Sequence, residues 1–430
     1  MIQKITYPER EIWESICKRP VFEPEELTQN VVKILENVKM NGDLAVAEYA
    51  QLYDGVELKN FEVAEKELEE SDFLISEELK EAITIAKANI EKFHKSQFSS
   101  EAIIETTKGV KCWRKNIGIE KVGLYVPNGS APLFSTILML GIPAKIAKCK
   151  HIILCTPCNS DQKINPAILY TAKLVGIHKI YKIGGAQAIA AMAFGTKTIS
   201  KVDKIFGPGN QFVTKAKELV QQNGISIDMP AGPSEVLVIA DTTCNPEFVA
   251  ADLLSQAEHG EDSQVVLLSN DDQIIKQINS AIKRQLTALP RYTIAAKALE
   301  NSFAVVLSDI SECIDFSNCY APEHLILAIA DAYQFTDKII NAGSVFVGNL
   351  SCESAGDYAS GTNHTLPTNG FAKSYSGVSL DSFLKKITFQ EISSEGIKNI
   401  GPSVEIMAEA EGLLAHKNAV TIRLKTLKND

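Results

Sequence analysis

The feature that most constrains this chain is a succession of short, continuous apolar runs that each end at Gly or Pro, or turn polar, before a helical pattern follows. VGLYVP from 122, HIILCTP from 151, KIYKIGG from 179 and KIFGPG from 204 form one series; EVLVIAD from 235, QVVLLSN from 264, FAVVLSD from 303 and GSVFVGN from 343 form another. A strand that is apolar at every position needs cover on both faces, and alternation with helices supplies it. The reading is an α/β protein with two doubly wound, Rossmann-like parallel sheets. Ahead of them, residues 25–95 read as amphipathic helices, with Ser76 a plausible N-cap for the segment that follows it. Residues beyond about 380 are charged and helical in pattern, with no strand series, and suggest a small tail that packs on another body, such as a second subunit.

At 430 residues the chain exceeds one ordinary core, and at about 150 residues per domain it should hold two or three. The 53 acidic against 43 basic residues give a formal charge of -10, which argues against nucleic acid or an anionic membrane as a general partner. The first 20 residues carry charges where an export signal needs an apolar stretch. Leu133 to Ala147 is the longest apolar run; it contains Pro143 and Lys145 and falls short of the roughly 18–20 residues that span a bilayer. The expectation is a cytoplasmic protein with small-molecule ligands. Nine scattered cysteines, an odd number, do not suggest a disulfide framework. The Cys155-Thr-Pro-Cys158 pair lacks a second pair with which to build a zinc site.

In doubly wound sheets ligands gather beyond the carboxyl ends of the strands. For the first series this directs attention to Pro127-Asn128-Gly129, Gly184-Gly185-Ala186-Gln187 and Gly207-Pro208-Gly209-Asn210. No G-x-G-x-x-G follows any strand, so the usual dinucleotide fingerprint is missing.

Of seven histidines, His259, His324, His364 and His416 lie in polar or Gly-rich settings beside carboxylates, whereas His94, His151 and His178 read as surface groups. Gln256 and His259 are three apart and share a helix face that can hold one ion; the alternative is a helix end at which His259 meets the last carbonyls before Gly260. Asp357 and His364 lie in a loop rich in Gly, Ser and Asn, either presented into a cleft or held in a surface turn. Pro322 stands where a helix can begin, so Glu323 either complements a helix dipole or forms an acid/base pair with His324. Glu411 and His416 flank Gly412 in what reads as one helix with an interior glycine, which is either a ligand approach or a solvated acidic face. Together Gln256, His259, Asp357 and His416 would make a mixed oxygen and nitrogen set that suits zinc.

Taken in order, YVPNG at 125, GGAQAIAA at 184, FGPGN at 206, AGPSEVLVIAD at 231, LLSQAEHG at 253, APEHL at 321, SAGDYASGTNHTLPT at 354 and EGLLAH at 411 resemble the histidinol dehydrogenase family over most of the chain. That resemblance implies oxidation of L-histidinol to L-histidine through a bound aldehyde, with NAD reduced twice. It implies Gln256, His259, Asp357 and His416 as zinc ligands and Glu323 and His324 as the acid/base pair. Ser234, His364 and Glu411 would complete the substrate pocket, and Tyr125, Gln187 and Asn210 would contact NAD. It also implies a homodimer whose tail crosses to the partner, so that Glu411 and His416 complete the neighbour's site. With it, the chain is expected to divide into an N-terminal helical segment (1–22), a discontinuous α/β domain (23–124 plus 236–378), an NAD-binding α/β domain (125–235) and the tail (379–430).

Four other readings compete, the weakest being a non-enzymatic binding protein, which so many acid/base groups in Gly-rich loops disfavour. The same scaffold can oxidise another small alcohol, although His364 and Glu411 are the positions that read the amino alcohol. A zinc hydrolase would use Glu323 to activate water without a nicotinamide. An aldehyde dehydrogenase would need an activated cysteine, and none of the nine lies within a few residues of the histidine and carboxylate motifs.

Overall fold

The computed structural model describes all residues except 1, 20–25, 99–101, 129–130, 231 and 430; Gly129 and Ala231, named above, therefore lie outside the described residues. Strand β1 (Gln3–Thr6) precedes β2 (Ile104–Thr107) and β3 (Val110–Gly118). The first parallel series follows as β4 (Lys121–Tyr125), β5 (His151–Cys155), β6 (Lys179–Tyr181), β7 (Lys204–Phe206) and β8 (Ser226–Ile227). The second is β9 (Glu235–Ala240), β10 (Gln264–Ser269), β11 (Phe303–Val306), β12 (His324–Ala328) and β13 (Ser344–Val347), and β14 (Leu384–Ile392) closes the set. They make a six-stranded sheet in the order β1-β11-β10-β9-β12-β13, a five-stranded sheet in the order β6-β5-β4-β7-β8, and a three-stranded sheet in the order β14-β3-β2.

The two larger sheets are parallel throughout, as the apolar runs require. Every residue of β9 and of β10 is buried, because helices cover both faces of that sheet. Each Val, Leu or Ile so enclosed contributes about 1.5–3 kcal/mol relative to exposure. Helix starts are set locally: Asn245 accepts the Glu247 N–H ahead of Pro246, Asp271 accepts from Gln273 and Ile274, and Ser76 accepts from Leu79 as expected. No helix among the described residues is long and apolar enough to cross a membrane.

Several elements differ from the sequence reading. The N-terminal segment, expected to be helical, opens with β1, which pairs with β11 at the edge of the six-stranded sheet before the short Trp13–Ile16 helix. Pro322 follows a helix rather than starting one: the Ile310–Tyr320 helix ends at Ala321 in a left-handed turn (φ 56°), and β12 begins at His324. Gly412, taken as interior to one helix, is the left-handed break (φ 74°) between Ser394–Ala410 and Leu414–Asn429. The tail contributes β14, which pairs antiparallel with β3 along nine residues.

The helices between Leu27 and Ser96 pack on the five-stranded sheet. Val31, Val38 and Val46 share one core with Ile189 and Val213, while Ile83 and Ile90 share another with Leu138 and Leu154. The apolar stripe of this region is matched by the faces of the five-stranded sheet, while Asn89 and His94 also reach Ala359 and Asn363.

Candidate active site

Parallel pairing aligns His324 of β12 with Val236 of β9, which brings Glu323 and His324 against the amino end of β9. The Glu235 N–H donates to Glu323 Oε2 at 2.9 Å, and His324 Nδ1 lies 3.3 Å from the Glu235 carbonyl oxygen. Glu323 Oε2 is 3.6 Å from His324 Nδ1, and Asp357 Oδ1 is 3.5 Å from His324 Nε2. Both members of the pair are buried. Burial pushes the Glu323 carboxyl up to about 8. Burial opposes charge on His324, but the carboxylates of Glu353, Glu323 and Asp357 outweigh it and raise its pKa to about 10. A histidine enclosed by three carboxylates is the setting in which a bound cation would cancel the excess negative field.

The donors for such a cation come from two helix ends. Gln256 lies in the last turn of Pro246–Ala257, and His259 sits just beyond it, so the pair brackets the helix terminus instead of sharing a continuous helix. The Glu353–Tyr358 helix supplies Glu353 and Asp357, one turn apart. Ligand atoms of His259, Glu353 and Asp357 all lie within 4.8 Å of one another. Oriented to satisfy its neighbours, the Gln256 amide donates to Glu353 Oε1 and accepts from the Glu235 N–H at 3.3 Å. Oxygen and imidazole donors of this kind fit zinc.

The sequence reading passed over Glu353, although its i,i+4 spacing to Asp357 was a usable signal.

His364 is placed by both halves of the molecule. Its Nδ1 is 2.9 Å from the Asp357 carbonyl oxygen and its Nε2 is 3.2 Å from the Thr136 hydroxyl, on the helix that follows β4. The loop that carries it is anchored by Asn363, which donates to the Met139 carbonyl at 2.7 Å and lies 3.3 Å from His94 Nε2. His94, expected at the surface, is fully buried, since it continues the apolar stripe of Ile83, Ala86 and Ile90.

At the carboxyl end of the five-stranded sheet the order reverses between β4 and β7, which is where such sheets open a crevice. Tyr125 ends β4 and its hydroxyl accepts from the Gly185 N–H at 3.1 Å. Gln187 is buried in the Gly185–Phe194 helix, and its Nε2 has no hydrogen-bond partner among the described residues. The Asn210 side-chain oxygen accepts from the Phe212 and Val213 N–H groups and so caps the helix that follows β7. Gly207 (φ 125°) packs against the end of β4; a Cβ there would collide with the Tyr125 backbone carbonyl oxygen, so no other residue fits.

Ser234 lies half-buried just ahead of β9, and the Gln264 N–H donates to its carbonyl at 3.1 Å. The structure does not bring Glu411 or His416 to this cluster within one chain. Both are exposed at the turn between the tail helices.

Clustered acid, base and donor groups on two parallel sheets define an α/β enzyme. A family model for histidinol dehydrogenase matches residues 17–424, and the chain belongs to the histidinol dehydrogenase family. It is 56% identical over 428 residues to a histidinol dehydrogenase of Bacteroides thetaiotaomicron, covering 100% of both chains. It is 50% identical over 416 residues to one of Escherichia coli, covering 96% of this chain and 95% of that one. The crystal structure of histidinol dehydrogenase from Elizabethkingia anophelis matches with a TM-score of 0.97 at 59% identity, over 99% of each chain. An acetylating aldehyde dehydrogenase from Geobacillus thermoglucosidasius matches at a TM-score of 0.51 and 13% identity, over 87% of this chain and 93% of that one, a likeness of fold alone.

Proposed function

We propose that this enzyme carries out the closing oxidation of histidine biosynthesis, L-histidinol to L-histidine through a bound aldehyde, with zinc held at the site and NAD as the oxidant. The observation that carries the reading is the buried His324 set between Glu323 and Asp357, beside Gln256 and His259, in a chain that belongs to this family.

Gln256, His259 and Asp357 would hold the zinc, with His416 of the partner subunit as the fourth ligand; bound there, it would fix the imidazole and amino nitrogens of the substrate. With the cation's charge offsetting the carboxylates that otherwise keep it protonated, His324 would take the hydroxyl proton as the carbinol carbon is oxidised, and NAD, when bound, would supply the hydride acceptor. Its Nε2 faces Asp357 Oδ1 at 3.5 Å, too long for a strong hydrogen bond, which leaves the nitrogen available to a proton from substrate. Glu323 then takes a proton from water as the water oxygen adds to the aldehyde carbon, and the hydrate gives up the second hydride. The sum is alcohol, water and two NAD+ giving carboxylate, two NADH and three protons. Ser234, His364 and the partner subunit's Glu411 orient the amino alcohol, while Tyr125, Gln187 and Asn210 line the nucleotide crevice.

The homodimer reading is supported by the tail, where Ile406, Met407, Leu414 and Ile422 are all more than half exposed. A cytoplasmic location agrees with the composition.

The test is NADH formed per histidinol consumed by protein loaded with zinc, before and after chelation. Two NADH per histidinol, lost on chelation and restored by zinc, is expected. No NADH from histidinol, with turnover of another small alcohol, would transfer the machinery to that substrate; hydrolysis without NADH would make it a zinc hydrolase.

A further inference from the structure

Behind the acid/base pair lies a buried ion pair that the reaction itself does not use. Arg19 Nε and Nη2 donate to Glu235 Oε2 and Oε1, each at 2.9 Å. The same guanidinium donates to the Cys17 carbonyl at 3.1 Å and to the Ala321 carbonyl at 3.4 Å, and stacks 3.5 Å from the centre of the Tyr320 ring. The Tyr320 hydroxyl in turn lies 3.2 Å from Glu235 Oε2 and 2.8 Å from Gln264 Oε1.

Both attachments lead to the reacting groups. The backbone N–H of Glu235 holds Glu323, and its carbonyl oxygen faces His324 Nδ1. Ala321 occupies the left-handed turn from which Pro322, Glu323 and His324 emerge, and Gly343 donates to the Pro322 carbonyl at 2.9 Å. Only a planar fork satisfies two carboxylate oxygens and a stacked ring together; an ammonium does not.

We infer that Arg19 is a positioning residue for the oxidation: by clamping Glu235 and the Ala321 turn it sets where Glu323 and His324 stand. The inference rests on the function proposed above.

A buried ion pair can also be merely structural, and replacing both partners by apolar groups often leaves a fold as stable as before. That separates the two roles. The variants are Arg19→Lys and the double Arg19→Met/Glu235→Leu, studied as zinc-loaded full-length enzyme, with melting temperature, zinc content, kcat and KM for histidinol, and a crystal structure of each. The expected result is a fall in kcat of about ten-fold or more, as small misplacements of reacting groups produce, with KM and zinc content unchanged and with Glu323 and His324 displaced. In the double variant the melting temperature stays near that of wild type while kcat stays low. Wild-type kcat in both variants, or an acid/base pair left in place, overturns the positioning role. An inactive wild type would instead overturn the proposed function, and the displacement in the crystal structures would still decide the role of Arg19. If the double variant does not fold, Arg19→Lys alone decides.

Discussion

His364 Nε2 lies 3.2 Å from the Thr136 hydroxyl, so a histidine on the loop beyond β13 is held by a helix of the five-stranded sheet. This bond ties the two halves of the candidate site across the interface between the sheets. Thr136→Val keeps the shape and removes the hydroxyl; one neutral hydrogen bond contributes about 0.5–1.5 kcal/mol. The expected outcome is roughly a three- to ten-fold loss in kcat/KM for histidinol, with zinc content unchanged, read by steady-state kinetics and metal analysis.

His324→Asn and Glu323→Gln should each lower kcat by roughly 10²–10⁴-fold while leaving the circular dichroism spectrum unchanged, since each removes proton transfer and not packing. The two should separate by step. His324→Asn slows the first NADH formed from histidinol, and Glu323→Gln slows oxidation of the aldehyde supplied directly. Equal loss in both steps for both variants would refute the division of labour.

Glu353 is within reach of the donor set and orients the Gln256 amide. Glu353→Ala should weaken zinc binding by roughly 10–100-fold, as loss of a group that steadies a metal ligand commonly does. Competition with a chelator measures this without recourse to activity.

Glu411 and His416 lie exposed and apart from the cluster in one chain, so a complete site would need a second copy. Mixing inactive His324→Asn and His416→Ala homodimers under exchange conditions should then restore about a quarter of wild-type activity, because random mixed dimers each contain one intact site. Mixed dimers with no activity would mean that a single chain supplies both residues of a site.

His94, which packs behind the loop that carries His364, gives a pH dependence of stability. Burial holds its pKa below the ordinary 6.5. The unfolded chain therefore binds this proton more readily than the folded one. The stabilising effect is fully present above 6.5 and is lost as pH falls from there through the lower folded-state value. The stability gap between wild type and His94→Leu, measured by denaturant unfolding, should narrow between pH 7.5 and pH 5; a constant gap would rule out this linkage.

How much could be seen in advance varied with the range of the interaction. Runs such as EVLVIAD and QVVLLSN announced buried parallel strands because burial on both faces demands continuous apolarity. HLILA in β12 was hidden by the proline ahead of it, which signals a helix start and a helix end equally well. β14, with Lys385 and Lys386 pointing to solvent on a half-exposed sheet, lacks that continuous pattern. Among site residues, those in Gly-rich or histidine-bearing motifs stood out. Arg19 could not, since its partner is 216 residues away and nothing local distinguishes it from a surface arginine.

By itself, then, the sequence determined the α/β class and the two parallel sheets and pointed to candidate site residues, because strand burial, helix caps and motif spacing are written in neighbouring residues. Tertiary structure alone decided that His324 stands between Glu323 and Asp357, that Arg19 and Glu235 lie behind the pair, and that Glu411 and His416 remain outside it. Those relations depend on sheet register and on helices returning across the fold, which join residues far apart in the chain.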